Sequence, residues 1–532
     1  MATAQRTLTM TDSRIDASGD IDRSLRDPIS PRIWPLLLLC AFAGLWIDFG
    51  TLNYYHQSDT VVPILVSLQK WTPYYWEQNR FGMLVPLLAS PIRNPWHNLL
   101  FQNALTASSG LAAFFLISRY VIRDWTWPLV ASIGASGFLV FSSPDFRSFY
   151  LSTGQPYNVA LFLGFAGLLL VERYHLHRGP AWLIVIATLA ILLSQWVNGA
   201  GFLIMVPLAL FRHIATIVTE KSDEATENHR SSTKKLTSLM LKSLLSLKNK
   251  KSIIYLELAL LATGAVFGTV AQKISPYQTT WISVPPPLEW ISRISAIGSD
   301  LQKLLAVQLW PRILVLAAGI GLAASCLQTV RRRTNGAMLT LVVTVGASLV
   351  YAAIMTVLFP PHARYLLPGL IIMGTGLVWF TLSPILSLLT NGQRKVLLAT
   401  SAPCLLVSVL ISDGFPSASR TRDVVDANLG TMTSDLIASH STHLAGDYWK
   451  VWTSILHANM IKYEKGAKDQ VWGVSFRSLP SRELWGRTNP SDLRVAVSAG
   501  DEDRARHYLL LYDFPVLQAS DKFKTITSYH KK

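Results

Sequence analysis

Two residues combine type and setting in a way that suits chemistry, Asp59 and Arg364. Asp59 stands between Ser58 and Thr60, just past the first apolar run of the chain. Behind it Val61, Ile64, Leu65 and Leu68 follow helical spacing, with Thr60, Ser67 and Lys70 opposite. That pattern predicts a helix lying in a membrane interface, with a carboxylate at its start. There a carboxylate can cap free backbone N–H groups and meet the positive end of the helix dipole. Nothing in that duty stops it from also taking a proton. Arg364 follows Pro360-Pro361, which stop a helix, and precedes Tyr365 and a new apolar run. A cation fixed at that point suits an anionic ligand arriving from the bilayer, such as a lipid phosphate. His56 and His362 lie in the same two regions, and an imidazole can carry protons near neutral pH.

Around these sit residues with plainer readings. Trp71, Pro73, Tyr74, Tyr75 and Trp76 make an aromatic knot that reads as an interface belt, although aromatic faces also line sugar sites. Glu77 and Arg80 follow in the same loop. Gln195 and Asn198 interrupt a long apolar stretch, where they would satisfy backbone at a turn between two short spans. Asp48, inside the first span, reads as structural. Arg80, Arg93, Arg147, Arg293, Arg312 and Arg364 all fall on the outer side next to membrane boundaries, where a single arginine often only snorkels to headgroups.

The elements that must hold these residues are membrane spans. Half of the 532 residues are hydrophobic and only 15% are charged. Apolar runs of bilayer-crossing length recur from residue 33 to 412, predicting about eleven spans. The net charge of +16 is gathered in short loops between those runs. That is how topology is encoded, so nucleic acid is not the expected partner. The clusters place the N-terminus in the cytoplasm and the C-terminus outside, with Arg331-Arg332-Arg333 a strong inner mark. Lys234, Lys235, Lys242, Lys248, Lys250 and Lys251, interleaved with leucines, predict a basic amphipathic helix on anionic lipid. Cys40, Cys326 and Cys404 lie in apolar runs and offer neither an external staple nor metal-ligand spacing.

The expected organisation has three parts. Residues 1–32 form a disordered cytoplasmic tail. Residues 33–412 form a mainly α, polytopic helical membrane domain with external loops at 51–97 and 271–310. Residues 413–532 form a small α/β extracytoplasmic domain. In it 471–474 and 493–497 read as strands, while 444–460 and 502–512 read as helices. No internal repeat is visible, and polar residues gather at the outer edge, which argues against a transporter.

In sequence order these features resemble the GT-C superfamily of integral-membrane glycosyltransferases. The resemblance rests on Ser58-Asp59 opening a long first external loop, on the second large loop at 271–310, and on His362-Ala363-Arg364-Tyr365-Leu366-Leu367-Pro368, similar to an Arg-Tyr-x-x-Pro pattern. It covers about residues 33–412. Many members carry paired acidic residues where Asp59 stands alone. The resemblance implies a multi-pass enzyme of the inner membrane that moves a hexose or pentose from a polyprenyl-phosphate donor at the periplasmic face, with inversion. The acceptor would be a glycan, lipid or protein in cell-envelope assembly. It implies Asp59 as general base, with Arg364, Arg80 and Lys273 on the donor phosphate. Glu77, Trp76, Tyr75, His56, His362, Tyr365 and Gln195 would contact substrate. No cofactor is assigned, with room left for a divalent cation, Mg or Mn. A polysaccharide polymerase or ligase is the alternative reading.

Overall fold

The computed structural model describes residues 33–50, 57–76, 82–122, 124–154, 156–177, 179–228, 236–275, 285–307, 309–310, 312–313, 316–317, 319–320, 336–359, 362–475, 493–505 and 517–531. The expectations for 1–32, His56, Glu77, Arg80, Cys326 and most of the span at 313–330 lie outside these residues.

The chain is mainly α. In order the helices are α1 Ile33–Asp48, α2 Ser58–Leu68, α3 Leu84–Ala89, α4 Pro95–Val121, α5 Trp127–Phe141, α6 Pro144–Leu151, α7 Tyr157–His177 and α8 Trp182–Val197. There follow α9 Gly199–Leu203, α10 Met205–Asn228, α11 Leu236–Lys273, α12 Pro287–Val307, α13 Gly336–Leu358, α14 Leu367–Leu388 and α15 Asn391–Asp413. Among the described residues, 7 helices are long and apolar enough to cross a membrane, and α1, α5 and α8 are shorter apolar helices at positions where spans are expected. Leu38, Phe42, Leu45, Val185 and Leu189 are exposed on them, as lipid-facing side chains must be. The class that composition and fold define is a multi-pass helical membrane protein with a small appended sheet.

Local chemistry sets the helix ends. Asn94 accepts from the Trp96 and His97 amides, with Pro95 at the first helical position of α4. The break between α8 and α9 is made by Asn198, whose side chain takes the Ala200 and Gly201 amides at 3.0 and 3.1 Å. The basic stretch before residue 251 begins one 38-residue helix, α11, that runs on into the next span. The external loop expected at 271–310 contains helix α12, and the short outer connection between α5 and α7 contains α6.

The C-terminal part adds α16 Ala418–Leu429, α17 Thr433–Ala438, β1 His443–Gly446, α18 Tyr448–Glu464, β2 Trp472–Ser475, β3 Arg494–Ser498, β4 Leu517–Lys522 and β5 Ile526–Lys531. The strands lie in the order β2-β1-β3-β5-β4, with β1 parallel to both neighbours and β5 antiparallel to β3 and β4. Residues 444–446, expected as the start of a helix, belong to β1. A short strand covered on both faces carries no alternation, and His443-Leu444-Ala445-Gly446 is buried throughout.

Burial holds the His443 imidazole down to about 4, against its usual 6.5. The unfolded chain therefore binds a proton that the native sheet does not. Its contribution is complete above about pH 6.5 and is lost as pH falls towards 4. The loss should amount to about 3 kcal/mol at full effect. His443→Asn should flatten this part of the profile. Melting temperatures of both proteins between pH 7 and 4 check it, and parallel curves would remove His443 from the account.

The first-loop helix is where the two parts meet. Val61, Ile64, Leu65 and Leu68 enter the same core as Val451, Trp452, Ile455 and Leu456 of α18. All 11 residues of α2 are buried, so the helix does not lie open in an interface. Its polar side is satisfied by protein. The Ser58 hydroxyl donates to the Tyr448 carbonyl at 2.6 Å, and Ser67 donates to the Asn98 amide oxygen at 2.8 Å. The polar stripe that suggests a wet face is a hydrogen-bonding seam between α18 and α4.

Candidate functional site

Asp59 and Arg364 line one narrow cleft with Gln57, Thr60, Asp145, Ser148, Phe149, Ser152 and Gly154. The cleft is nearly closed, its cavity volume about 20 Å³. Helix α2 brings Gln57, Asp59 and Thr60. Helix α6 and the turn after it bring the next group, and the 3-10 turn Ala363–Leu366 brings Arg364.

Asp59 is 9% exposed and sits in the first turn of α2, whose cap is Gln57 and not Asp59. Its carboxylate is therefore not the cap of this helix. Oδ1 accepts the Tyr448 hydroxyl at 2.7 Å, and its backbone carbonyl accepts the hydroxyl of Tyr75. Thr153 donates to the Thr60 carbonyl at 2.9 Å. Gly154 lets this strap come close, since a Cβ there would meet the Asp59 carbonyl carbon and oxygen at 3.0 Å. Tyr448 thus holds the carboxylate itself, while Tyr75, Thr153 and Gly154 fix the backbone that carries it.

Arg364 is anchored and still has donors to offer. Its Nη2 donates to the Tyr365 hydroxyl at 3.0 Å, and the guanidinium lies 5.0 Å from that ring. Its Nε is buried with no hydrogen-bond partner among the described residues. The Tyr365 ring stacks on Phe359, and the Tyr365 carbonyl takes the Tyr351 hydroxyl at 2.8 Å, which stiffens the mount. His362 caps the same turn, its Nδ1 accepting the Arg364 amide at 3.2 Å. Burial and then the neighbouring Arg364 hold this imidazole below its usual range, against a smaller opposite pull from Asp300. His362 is neutral at pH 7 and packs edge-on against Phe149 of the cleft wall.

The other sequence candidates fall in different places. Tyr75 and Trp76 are 2% and 3% exposed, and Trp76 packs on Trp452 of α18. In this structure they hold the Asp59 helix and present no open face. Gln195 packs against Gly199 and Gly268, and Lys273 is exposed at the end of α11; neither lines the cleft. Arg147 is buried and pairs with Asp413 at 3.5 Å, while Arg293 donates to the Val357 and Phe359 carbonyls at 3.3 and 3.2 Å. Arg93 and Arg312 are exposed.

Four participants carry little or no signal in the sequence. Asp145 gives the cleft a second carboxylate; its one local signal is Ser143-Pro144, a helix start that presents the next residue at an outer turn. Ser148 and Ser152 add hydroxyls from the same short helix and its end. Tyr448 has no local signal, because its role depends on docking of the C-terminal part. As a donor set, two carboxylates beside a guanidinium fall short of a cation site. Among the described residues, no group of three or more His, Cys, Asp or Glu could hold a metal ion.

No protein-family model matches the sequence, and no curated protein matches it. Two solved structures overlay on the chain. One is ArnT from Cupriavidus metallidurans bound to undecaprenyl phosphate, with a TM-score of 0.42 and 10% identity over 94% of this chain and 98% of that one. The other is the same protein in the apo state, with a TM-score of 0.38 and 11% identity over 93% and 97%. Likeness at this level transfers neither fold nor chemistry, and the function has to be read from the residues of this chain.

Proposed function

We propose that this protein is a membrane glycosyltransferase that moves a sugar from a polyprenyl-phosphate donor to an acceptor hydroxyl at the outer membrane face. The observation that carries the reading is the meeting of Asp59 and Arg364 in one cleft beside the start of a span. One is a carboxylate that is not the cap of its helix, the other a cation with a buried donor still to satisfy. Proton removal and anion binding are the two tasks such a transfer requires.

In the proposed step the acceptor oxygen attacks the anomeric carbon and its proton passes to Asp59. The bond from that carbon to the donor phosphate oxygen breaks, and its electron pair stays on the phosphate. Arg364 meets the growing negative charge. Asp145, on the α6 wall, stabilises the oxocarbenium-like sugar electrostatically. Direct displacement of the phosphate by the acceptor oxygen, with no sugar bound covalently to the enzyme in between, inverts the anomeric carbon. No step passes through a metal. Because the leaving group remains in the bilayer, a cleft at the end of a span is the place for it.

Arg364→Ala tests the donor half. Loss of a charge-assisted contact should cost about 1.5–3 kcal/mol, roughly tenfold to a hundredfold in affinity for polyprenyl phosphate. Arg364→Lys should recover only part, since an ammonium lacks the planar fork. Calorimetric titration of the folded variants with polyprenyl phosphate measures both. Native affinity in the alanine variant would reduce Arg364 to an interface anchor.

A further inference from the structure

The C-terminal part holds a second and larger cleft, which the transfer step does not use. Its cavity volume is about 780 Å³. The chain leaving β1 turns through α18 towards β2, while β3 lies on the other side of β1. In open α/β sheets that parting of connections leaves a crevice at the carboxyl ends of the strands, the usual ligand position. Ser498 and Ala499 close β3 on one side of it, and the first turns of α18 form another wall.

The lining has a definite chemistry. Trp449 lines it with about half of its surface exposed, at 48%. Lys450 and Lys524 are exposed on α18 and on the β4–β5 turn, and no carboxylate is among the described lining residues. Two acids brace its wall from behind: Asp435 takes the amide and hydroxyl of the lining Thr525 at 2.8 and 2.6 Å, and Asp447 takes the amide of the lining Trp449 at 3.0 Å. Asn428, Thr431 and Thr453 add amide and hydroxyl groups. An aromatic face with short polar side chains matches a sugar ring, and two ammonium groups match an anion on it.

Position ties this cleft to the first one. Gln57 lines both. Tyr448, whose hydroxyl holds Asp59, packs its ring edge-on against Trp449 at 5.1 Å. We infer that the larger cleft holds the acceptor, and that the acceptor is a saccharide bearing carboxylate or phosphate groups. The acceptor role rests on the transferase reading; the saccharide chemistry rests on the cleft alone.

The test uses the full chain in lipid nanodiscs and calorimetric titration with three probes: tetragalacturonate, glucose 6-phosphate and neutral maltotetraose. The acidic probes should bind more tightly than maltotetraose, and whichever acid binds tighter assigns the anion. Lys450→Glu with Lys524→Glu should weaken acidic probes by on the order of a hundredfold. Trp449→Ala should weaken all three by about tenfold. Polyprenyl phosphate affinity should stay native in these variants. The inference is overturned if maltotetraose binds as tightly as the acids, if no probe binds, or if charge reversal leaves acid binding unmoved. Arg364→Ala run alongside separates the two readings. Unmoved polyprenyl phosphate affinity there, with acid binding still lost on charge reversal, removes the acceptor role and keeps the saccharide site. The opposite pair of results removes the site and keeps the transferase.

Discussion

Asp59→Asn is expected to slow sugar transfer by about 10²–10⁴-fold in a protein that folds and inserts normally. Two features of the structure separate chemistry from stability at this residue. The cap of α2 is Gln57, so the carboxylate is not needed to start the helix. The Tyr448 hydroxyl donates to Oδ1 at 2.7 Å, and the amide oxygen of asparagine can accept the same bond. What asparagine cannot do is take up a proton at neutral pH. Asp59→Ala should be inactive and also less stable, because the Tyr448 hydroxyl, on a residue only 5% exposed, loses its acceptor. A buried donor left in that way costs about 1–3 kcal/mol. Turnover of a polyprenyl-phosphate sugar and thermal melting, measured on both variants, divide the two effects. Native transfer by the asparagine variant would make Asp59 a mounting point, and Asp145, across the cleft, would be the carboxylate to remove next.

Features that depend on local periodicity are legible in the sequence. Helix α2 follows from the spacing of Val61, Ile64, Leu65 and Leu68, and the strands near 472 and 494 from short β-branched runs. The spans follow from length and apolarity. Features that depend on which surfaces meet are not legible. The polar side of α2 looks the same in sequence whether water or Tyr448 satisfies it. Asp145 becomes a cleft residue only when α6 folds against α2, and no spacing links it to Asp59. Tyr75 and Trp76 look like an open aromatic platform because aromatic residues suit both belts and cores; burial against α18 decides for the core.

Arg212→Ala is expected to have the largest effect on stability, because it would strand two carboxylates inside the helical bundle. Arg212 of α10 pairs with Glu172 of α7 at 2.9 Å and lies 3.9 Å from Glu257 of α11. Glu257 also accepts the Tyr120 hydroxyl at 3.0 Å and meets His213 Nε2 at 2.7 Å, and the guanidinium sits 3.9 Å over the Tyr120 ring. All five side chains are buried, and together they fasten α4, α7, α10 and α11. Removing the one arginine leaves Glu172 and Glu257 without their shared cation, and breaking a buried pair in this way costs about 3–5 kcal/mol. Charge inside a membrane domain is expensive for the same reason. Replacing Glu172, Arg212 and Glu257 together by Gln, Met and Gln should recover much of the loss, since no bare charge then remains. Thermal unfolding in detergent distinguishes the cases. If the single variant melts with the native protein, the network contributes nothing measurable. If the triple variant is no better than the single one, the loss comes from packing over Tyr120 and not from stranded charge.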